Sequence, residues 1–429
     1  MRTLELTRET KKELLGNLLK RNPGSYTQYE NTVNAIIENV RNNGDKALFE
    51  YTKEFDKCEI TADTIKVTRA EIDAAYAELD DRFIEVMKKS AENIRVFHEK
   101  QKRNSWIDTK EDGSILGQRI LPIEVSGVYV PGGTAAYPSS VLMNVVPAKV
   151  AGVERIIMCT PPSKDGKVNP ATLVAADIAG VGEIYKVGGA QAIAAMAFGT
   201  ESVPKADKIT GPGNIFVALA KKACFGHVSI DSIAGPSEIL VLADETANPR
   251  YVAADLLSQA EHDVLASAIL ITTSRDLARA VSKEIDGFLE TLSRADIIRQ
   301  SLENYGYIFV AENMEDAIDA TNAVASEHLE IITKNPFETM TKVKNAGAIF
   351  LGEYSSEPLG DYFAGPNHIL PTNGTARFFS PLNVDDFVKK TSIISYSRDA
   401  LSKVHEDIEL FAKKEGLTAH ANSIAVRFE

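Results

Sequence analysis

The chain has 429 residues, of which 44% are hydrophobic and 25% are charged, and its formal net charge is −13. This composition is typical of a globular protein large enough for two or three domains. The acidic balance, with 60 Asp and Glu against 47 Lys and Arg, argues against a general nucleic-acid binder, because such proteins need a concentrated cationic face.

The cysteines and the apolar runs indicate the compartment. Cys58, Cys159 and Cys224 are too few and too far apart for a disulfide framework or a cysteine-rich metal site. Residues 1–15 contain no apolar signal core, and no apolar run reaches membrane-spanning length. We therefore expect a cytoplasmic protein in a reducing compartment, with no membrane partner and no nucleic-acid partner.

The first part of the chain, residues 1–120, is predicted to be a helical segment that packs on the α/β unit after it. Residues 71–102 place apolar side chains at helical spacing between charged faces. From about residue 120, short β-branched runs such as ERIIMCT and EIYKV alternate with Ala-rich runs such as PATLVAADIAG and AQAIAAMAFG. This alternation predicts a mainly parallel sheet with helices between its strands.

The same pattern restarts near residue 237, with strand-like runs EILVLAD, SAILITT, YIFVA, LEIIT and AGAIFLG. The sequence therefore predicts an α/β fold with two consecutive Rossmann-like, mainly parallel domains, at residues 121–236 and 237–380. Residues 381–429 are predicted to form a charged helical tail, whose last stretch is too short for a domain of its own.

Three Gly-rich turns lie in the first α/β domain, at residues 130–140, 187–199 and 210–216. Glycine lets the backbone approach a ligand closely, and the amino terminus of a following helix favours an anion. None of the three turns completes the dinucleotide fingerprint G-x-G-x-x-G. The third turn has its first two glycines, Gly211 and Gly213, but Phe216 stands in the place of the third. Each turn alone also fits an ordinary strand-to-helix connection. Three together favour a shared ligand site at the carboxyl ends of the strands.

Polar residues with catalytic or metal-binding chemistry concentrate in the second half of the chain. Gln259 and His262 are three apart on a predicted helix, so both can face one point. A solvated helix face explains the same pair equally simply. Glu327 and His328 lie together between apolar elements, where either a general base beside a carboxylate or an ion pair at a helix end would fit.

Two later segments add further candidates. Asp361 and His368 lie in the Gly- and Pro-containing stretch 360–377, a type of loop that often carries function in α/β proteins. Glu415 and His420 lie near the end of the chain. Four of these residues could form a metal site. It would have one neutral oxygen, two imidazoles and one carboxylate, from Gln259, His262, Asp361 and His420. This donor set suits zinc or another first-row metal.

In order and context these motifs resemble the histidinol dehydrogenase family. The matching stretches begin near residue 120 and continue to the end: VYVPGG, VGGAQAIAA, GPGN, AGPSE, LLSQAEHD, SEHLE, GPNHILPT and GLTAH. Eight motifs in family order are far more specific than any single glycine loop. The N-terminal helical part is compatible with the family but less diagnostic.

The resemblance implies an NAD-dependent, zinc-containing homodimeric oxidoreductase. It would oxidise L-histidinol to L-histidine through bound L-histidinal, in the final steps of histidine biosynthesis. The family's tail completes the site of the partner subunit, so Glu415 and His420 would act across a dimer interface.

The family's functional positions carry over to this chain by motif. The catalytic pair would be Glu327 and His328. The NAD contacts would be Tyr129, Gln191 and Asn214. The zinc ligands would be Gln259, His262, Asp361 and His420. The substrate contacts would be Ser237, Gln259, His262, His328, Asp361, His368, Glu415 and His420.

Three other functions stay open from the residues alone. A zinc hydrolase could use the same ligands with Glu327 as the base, and it would need no dinucleotide. A non-catalytic protein that binds imidazoles or amines could keep the metal without needing the Glu327–His328 pair. A related zinc and NAD dehydrogenase could act on another amino alcohol or on a sulfonate.

Overall fold

A computed structural model describes residues 1–21, 27–132 and 137–429. By its internal contacts the chain forms two compact units. The first unit comprises Met1–Gln101 and Ile123–Phe387. The second comprises Lys102–Pro122 and Val388–Glu429.

Helices and strands alternate through most of the first unit. The helices, in chain order, are α1 (Arg8–Leu19), α2 (Thr27–Tyr51), α3 (Arg69–Glu78), α4 (Asp81–Glu99), α5 (Pro138–Ala151), α6 (Pro170–Ala179), α7 (Gly189–Phe198), α8 (Ile215–Cys224), α9 (Pro249–Ala260), α10 (Arg275–Phe288), α11 (Ala295–Tyr305), α12 (Met314–Val324), α13 (Pro336–Met340), α14 (Glu357–Leu359), α15 (Arg398–Ser402), α16 (His405–Lys414) and α17 (Thr418–Ala425). Two π-helical turns are Thr52–Asp56 and Gly360–Ala364, and two 3₁₀ turns are Thr375–Arg377 and Val384–Phe387.

The strands pair in three sheets. In chain order they are β1 (Arg2–Glu5), β2 (Trp106–Thr109), β3 (Ile115–Pro122), β4 (Val125–Tyr129), β5 (Arg155–Thr160), β6 (Glu183–Lys186), β7 (Lys208–Thr210), β8 (Ser229–Ile230), β9 (Glu238–Ala243), β10 (Ser267–Thr272), β11 (Gly306–Val310), β12 (His328–Ile332), β13 (Ala348–Leu351) and β14 (Val388–Ser395).

A five-stranded parallel sheet of the first unit has the order β6-β5-β4-β7-β8. Its strands are apolar along most of their length because helices cover both faces. One core packs Leu48 of α2 against Ile193 of α7 and Leu219 of α8. A second core joins Ile94 of α4 to Leu142 of α5.

A six-stranded parallel sheet, also in the first unit, has the order β1-β11-β10-β9-β12-β13. The edge strand β1 comes from the N-terminal segment and pairs Arg2 with Tyr307 of β11. Leu14 and Leu18 of α1 enter the core beneath this sheet. The N-terminal segment is thus divided, since its first helix covers the six-stranded sheet and α2–α4 cover the five-stranded one. The predicted domain limits stay a prediction.

The second unit contains a small antiparallel sheet with the order β14-β3-β2, followed by α15–α17. Residues 381–429 were expected to be helical, and β14 at Val388–Ser395 differs from that expectation. Its sequence VKKTSIIS is rich in β-branched residues, which favour an extended backbone over a helix. The helical prediction holds from α15 onward.

The predicted fold class, an α/β protein with mainly parallel sheets and helical ends, is confirmed. The runs ERIIMCT and EILVLAD correspond to β5 and β9, and AQAIAAMAFG corresponds to α7. Among the described residues, none of the helices combines the length and apolarity needed to cross a membrane.

Glu183, at the start of β6, collects three hydrogen bonds on its carboxylate. The donors are Arg155 Nε at 2.8 Å, Lys66 Nζ at 2.9 Å and the Tyr185 hydroxyl at 2.8 Å. Burial alone would raise the pKa of Glu183, but these donors outweigh it and lower that pKa to about 2. The unfolded chain has a pKa near the ordinary value of about 4.3.

We predict that Glu183→Gln lowers the free energy of unfolding at pH 7 by about 1–2 kcal/mol, a value reduced for the partial exposure of the pairs. Because the pKa of Glu183 is lower in the folded chain than in the unfolded chain, its ionised carboxylate stabilises the folded state at pH values above the unfolded pKa. The deficit should therefore vanish as the pH falls from about 4.5 to 2. Urea denaturation across this range measures it. The exposed control Glu85→Gln should change stability by less than about 0.5 kcal/mol at any pH, and an equal, pH-independent loss in both variants would contradict the prediction.

Candidate active site

The candidate catalytic residues lie at the amino-terminal edge of the six-stranded sheet. His328 is the first residue of β12 and Glu238 is the first residue of β9, and these two strands are neighbours. Ser237 directly precedes β9, and its carbonyl accepts a hydrogen bond from Ser267 N at 3.0 Å. This edge is formed where helices end and strands begin, so its polar groups come from connecting segments.

The backbone of Glu238 holds both members of the predicted catalytic pair. Glu238 N donates to Glu327 Oε2 at 2.9 Å, and Glu238 O lies 3.0 Å from His328 Nδ1. Only a protonated ring nitrogen can donate to a carbonyl at that distance, so Nδ1 carries the hydrogen. The neutral ring then presents its lone pair at Nε2, which is buried and has no hydrogen-bond partner among the described residues.

Glu238 is itself fixed by a buried ion pair. Its carboxylate contacts the guanidinium of Arg21, which is completely buried and also donates from Nη1 to Leu265 O at 2.9 Å. Burial raises the pKa of Glu238, and the facing Arg21 opposes that rise. A residue far away in the sequence therefore holds the strand end that carries the catalytic pair.

Asp361 enters the site on the π-helical turn Gly360–Ala364. Its Oδ1 lies 3.8 Å from His328 Nε2 and 3.8 Å from His368 Nδ1. Burial would raise the pKa of Asp361, but the two imidazoles lower it to about 2, so the carboxylate is ionised. His368 also contacts the Asp361 carbonyl through Nδ1 at 3.1 Å.

Helix α4 supports this turn from outside. Ser90 Oγ donates to Tyr362 O at 2.6 Å, and Asn93 Nδ2 donates to Phe363 O at 2.7 Å. Gly365 ends the turn with a φ of 109°, and a Cβ there would lie 2.6 Å from Asn93 O. Only glycine allows the backbone to pass this close to α4, so Gly365 fixes the end of the π-helical turn against that helix.

Helix α9 delivers Gln259 and His262 to the same edge. The helix starts with Asn248, whose side chain accepts from Arg250 N, and with Pro249 in its first turn. At its other end, Gln259 Oε1 is buried without a hydrogen-bond partner among the described residues. An uncompensated buried amide oxygen is costly, so this position suits a ligand or an ion.

His262 lies just beyond the end of α9. Its ring reaches the surface, yet the surrounding protein removes enough water to lower the pKa of His262, while Asp361 opposes that effect. The charges of His262 and His328 act on His368 in turn. Two imidazoles, those of His328 and His368, thus lie beside the ionised carboxylate of Asp361, and the charge of that carboxylate also acts on His262.

Burial and charge set the protonation of the catalytic pair. Burial raises the pKa of Glu327 to about 7, against the opposing charge of His328. For His328, burial lowers the pKa, but the carboxylates of Glu327 and Asp361 outweigh it and raise the pKa to about 10. A cation bound to Asp361 would offset that carboxylate and favour the neutral ring.

Two buried carboxyl groups in this site were missed in the sequence. Glu357 lies beside Asp361 and His328, and one ligand atom from each of the three lies within 4.8 Å of the others. Burial raises the pKa of Glu357 to about 8, and Ser258 Oγ donates to it at 3.0 Å. Glu330 of β12 accepts from Glu357 N at 2.9 Å. The spacing of four between Glu357 and Asp361, on one helical face, was the available signal.

A cavity of about 1090 Å³ lies at the carboxyl ends of the five-stranded sheet, in the first unit. It is lined by Tyr129, Gln191 and Asn214, the predicted NAD contacts. The Tyr129 hydroxyl accepts from Gly189 N at 3.0 Å, and the Asn214 side chain caps α8. The cavity is large enough for a dinucleotide. Residues 133–136 of the first glycine loop lie outside the described residues.

The profile of the histidinol dehydrogenase family matches residues 19–428. The chain belongs to the histidinol dehydrogenase family. This confirms the predicted family and the class of oxidoreductase that it implies.

Individual relatives cover nearly the whole chain. The histidinol dehydrogenase of Clostridium acetobutylicum is 61% identical over 398 residues, which are 93% of this chain and 92% of the relative. That of Bacillus subtilis is 58% identical over 410 residues, covering 95% and 96%. A crystal structure of histidinol dehydrogenase from Elizabethkingia anophelis matches with a TM-score of 0.94 at 41% identity, covering 100% of this chain and 98% of that one.

Two residues of the predicted site lie in the second unit of this histidinol dehydrogenase family member. Glu415 ends α16 and His420 lies in α17, and both are exposed. Their convergence with Gln259, His262 and Asp361 stays a prediction, as do the assigned roles of all the site residues.

Proposed function

We propose that this chain oxidises L-histidinol to L-histidine through L-histidinal, transferring two hydrides in succession to two molecules of NAD⁺ at a zinc-containing site. The observation that supports this most directly is the Glu327–His328 pair. The backbone N–H and carbonyl of one residue, Glu238, hold the two side chains, and the unpartnered His328 Nε2 faces Asp361. Bound NAD⁺ supplies the hydride acceptor in both steps.

In the first step His328 acts as the general base. Its Nδ1–H donates to Glu238 O, which leaves the Nε2 lone pair to take the proton of the alcohol. The C–H hydride leaves to NAD⁺ as the C–O bond becomes a carbonyl. The products are the aldehyde, NADH and a protonated imidazole.

The second step oxidises the aldehyde and needs an added oxygen. Cys58, Cys159 and Cys224 are buried in the packed interior, so we assign the nucleophile to water rather than to a thiol. Glu327, with a pKa of about 7, takes a proton as water adds to the carbonyl. His328, once it has released the proton of the first step to solvent, takes the remaining hydroxyl proton of the hydrated aldehyde as the second hydride leaves to NAD⁺, and a carboxylate forms.

The residues present fit a zinc ion. Gln259 offers an unpartnered amide oxygen, His262 an imidazole and Asp361 an ionised carboxylate, and we assign His420 as the fourth ligand. Nitrogen and oxygen donors in this combination suit zinc. When bound, zinc would hold the substrate's imidazole and amine and orient its alcohol toward His328. Glu357, beside Asp361, would help fix that ligand in place.

We assign the working form as a cytoplasmic homodimer with shared sites. Exposed apolar side chains of the second unit, including Ile394, Phe411 and Val426, support a subunit interface there. Glu415 and His420 would then reach the substrate and the zinc of the partner subunit, with His368 and Ser237 contributing substrate contacts from the first unit.

The stoichiometry of NADH tests the proposed function. With limiting histidinol and excess NAD⁺, we expect two NADH per substrate consumed, because an alcohol becomes an acid. NADH absorbance and the amount of histidine formed measure this ratio. One NADH per histidinol would indicate a simple alcohol dehydrogenase, and no NADH would contradict the proposal.

We predict that Glu327→Gln slows the oxidation of supplied histidinal by about a hundredfold or more, a typical contribution of a general base. The amide keeps the shape of the side chain but cannot accept the proton of water. Steady-state rates with histidinal and NAD⁺ measure the loss. The exposed control Glu338→Gln on α13 should leave the rate unchanged, and a near-normal rate in Glu327→Gln would remove this residue from the second step.

Metal removal should abolish activity and Zn²⁺ should restore it. Metal analysis is expected to give about one zinc per wild-type chain. His262→Asn should retain less than about a tenth of that content, since loss of one ligand weakens a four-ligand site severely. The exposed His227→Asn should bind zinc normally. Full turnover in a metal-free preparation, or full zinc content in His262→Asn, would refute the ligand assignment.

A further inference from the structure

Asp56 is a carboxylate without an evident role in the fold. It is the last residue of the π-helical turn Thr52–Asp56, which extends α2, and the next residue, Lys57, has a left-handed φ of 57°. Its Oδ2 is buried and has no hydrogen-bond partner among the described residues. Burial raises the pKa of Asp56 to about 6, which shows that the ionised group lacks compensation.

Asp56 lines the same cavity as the proposed NAD contacts. Tyr129 lines the cavity as well; burial raises the pKa of its hydroxyl to about 12, and the charge of Asp56 adds to that rise. Gln191 lines the cavity at the start of α7. Asp56 thus faces a dinucleotide-sized space that Tyr129 and Gln191 also line.

Two other carboxylates at this cavity, those of Glu71 and Asp165, already have hydrogen-bond partners. Glu71 contacts Lys186 Nζ at 2.5 Å and caps α3 through Thr68. Asp165 accepts from Ser163 Oγ at 2.6 Å. Asp56 is therefore the one among these three with a buried oxygen that no protein group satisfies.

The charge around the cavity disfavours a further phosphate. Its described lining includes four carboxylates against two lysines and contains no arginine; the carboxylates are those of Asp56, Glu71, Glu78 and Asp165. An arginine fork is the usual partner of a ribose 2′-phosphate in NADP-binding proteins. A carboxylate that accepts from the free 2′-hydroxyl is the usual feature of NAD-binding ones.

The geometry points to Asp56 as the residue that accepts hydrogen bonds from the vicinal hydroxyls of an NAD ribose and makes this site select NAD over NADP. This inference rests on the proposed function, since it presupposes a dinucleotide in this cavity. A carboxylate has only acceptors and a ribose diol offers two donors, so the two groups are complementary in hydrogen bonding. A 2′-phosphate offers no donor when ionised and would be repelled by the carboxylate.

The test compares NAD with NADP in the intact zinc enzyme. For Asp56→Asn we expect the KM for NAD to rise about 10- to 100-fold, the range for losing hydrogen bonds to a charged group. The preference for NAD over NADP in kcat/KM should fall at least about 10-fold. The kcat at saturating NAD and the KM for histidinol should stay within about threefold. Asp63→Asn, an exposed residue outside the cavity, is the charge-matched control and should keep both KM values.

Two further measurements separate the outcomes. Thermal unfolding of the ligand-free Asp56→Asn protein should be unchanged or at higher temperature, because the variant removes an uncompensated buried charge. Binding of NADH and NADPH, followed by their fluorescence without histidinol, isolates recognition from catalysis. If wild type binds neither dinucleotide, the cofactor part of the proposed function fails and this inference fails with it. If wild type prefers NADH and Asp56→Asn keeps the same preference, the inference alone is overturned.

Discussion

The buried ion pair between Arg21 and Glu238 is the interaction on which the geometry of the candidate active site depends. A fully buried guanidinium and a buried carboxylate are each costly alone, so removing either partner would leave an uncompensated charge in the interior. The pair fixes the start of β9, whose first residue, Glu238, donates its backbone N–H to Glu327 and accepts at its carbonyl from His328. The backbone thereby sets the positions of the two proposed catalytic side chains, and it is stiffer than a series of side-chain contacts would be. The ring tautomer of His328 follows from the same constraint.

The two functional regions use opposite ends of their sheets. In the five-stranded sheet the cavity with Tyr129 and Asn214 lies where strands end, which is the usual place for a ligand in an open α/β sheet. In the six-stranded sheet His328 and Glu238 lie where strands begin. Within the described residues, the candidate active site at the edge of the six-stranded sheet therefore contains no strand-to-helix turns, and its side chains come from strand starts, helix ends and a π-helical turn. Asp361 on that turn and Glu357 just before it each place a ligand atom within 4.8 Å of one on His328.

Much of this could be predicted from the sequence, because the signals are local. Buried parallel strands such as β5 and β9 are continuous apolar runs, and motif order was sufficient to indicate the family. The three-residue spacing of Gln259 and His262 predicted a shared helical face, but α9 ends at Ala260 and His262 lies just beyond it. What could not be predicted depends on partners far apart in the chain. Glu330 looks like an ordinary charged strand residue, and its burial depends on contacts with the segment around Glu357.

Dependence on distant parts of the chain also explains why the strand β14 and the carboxylate of Asp56 were not predicted. The strand β14 forms on β3, which precedes it by more than two hundred residues, and local charge suggested a helix instead. Asp56 lies in the charged sequence YTKEFDK, and nothing local distinguishes it from its solvated neighbours. Its significance comes from the lack of a hydrogen-bond partner at the wall of a cavity, which periodicity does not report.

The edge strand β1 has a consequence for biosynthesis of the protein. Its partner β11 is about three hundred residues later in the chain. At a translation rate of about 5–20 residues per second, roughly 15–60 s separate the emergence of the two from the ribosome. During that interval the RTLE segment and the apolar face of α1 have no sheet to join, so the nascent polypeptide must keep them from mispairing. The six-stranded sheet is thus completed at a late stage of synthesis, and Arg21, which follows α1, reaches Glu238 only after β9 has been made.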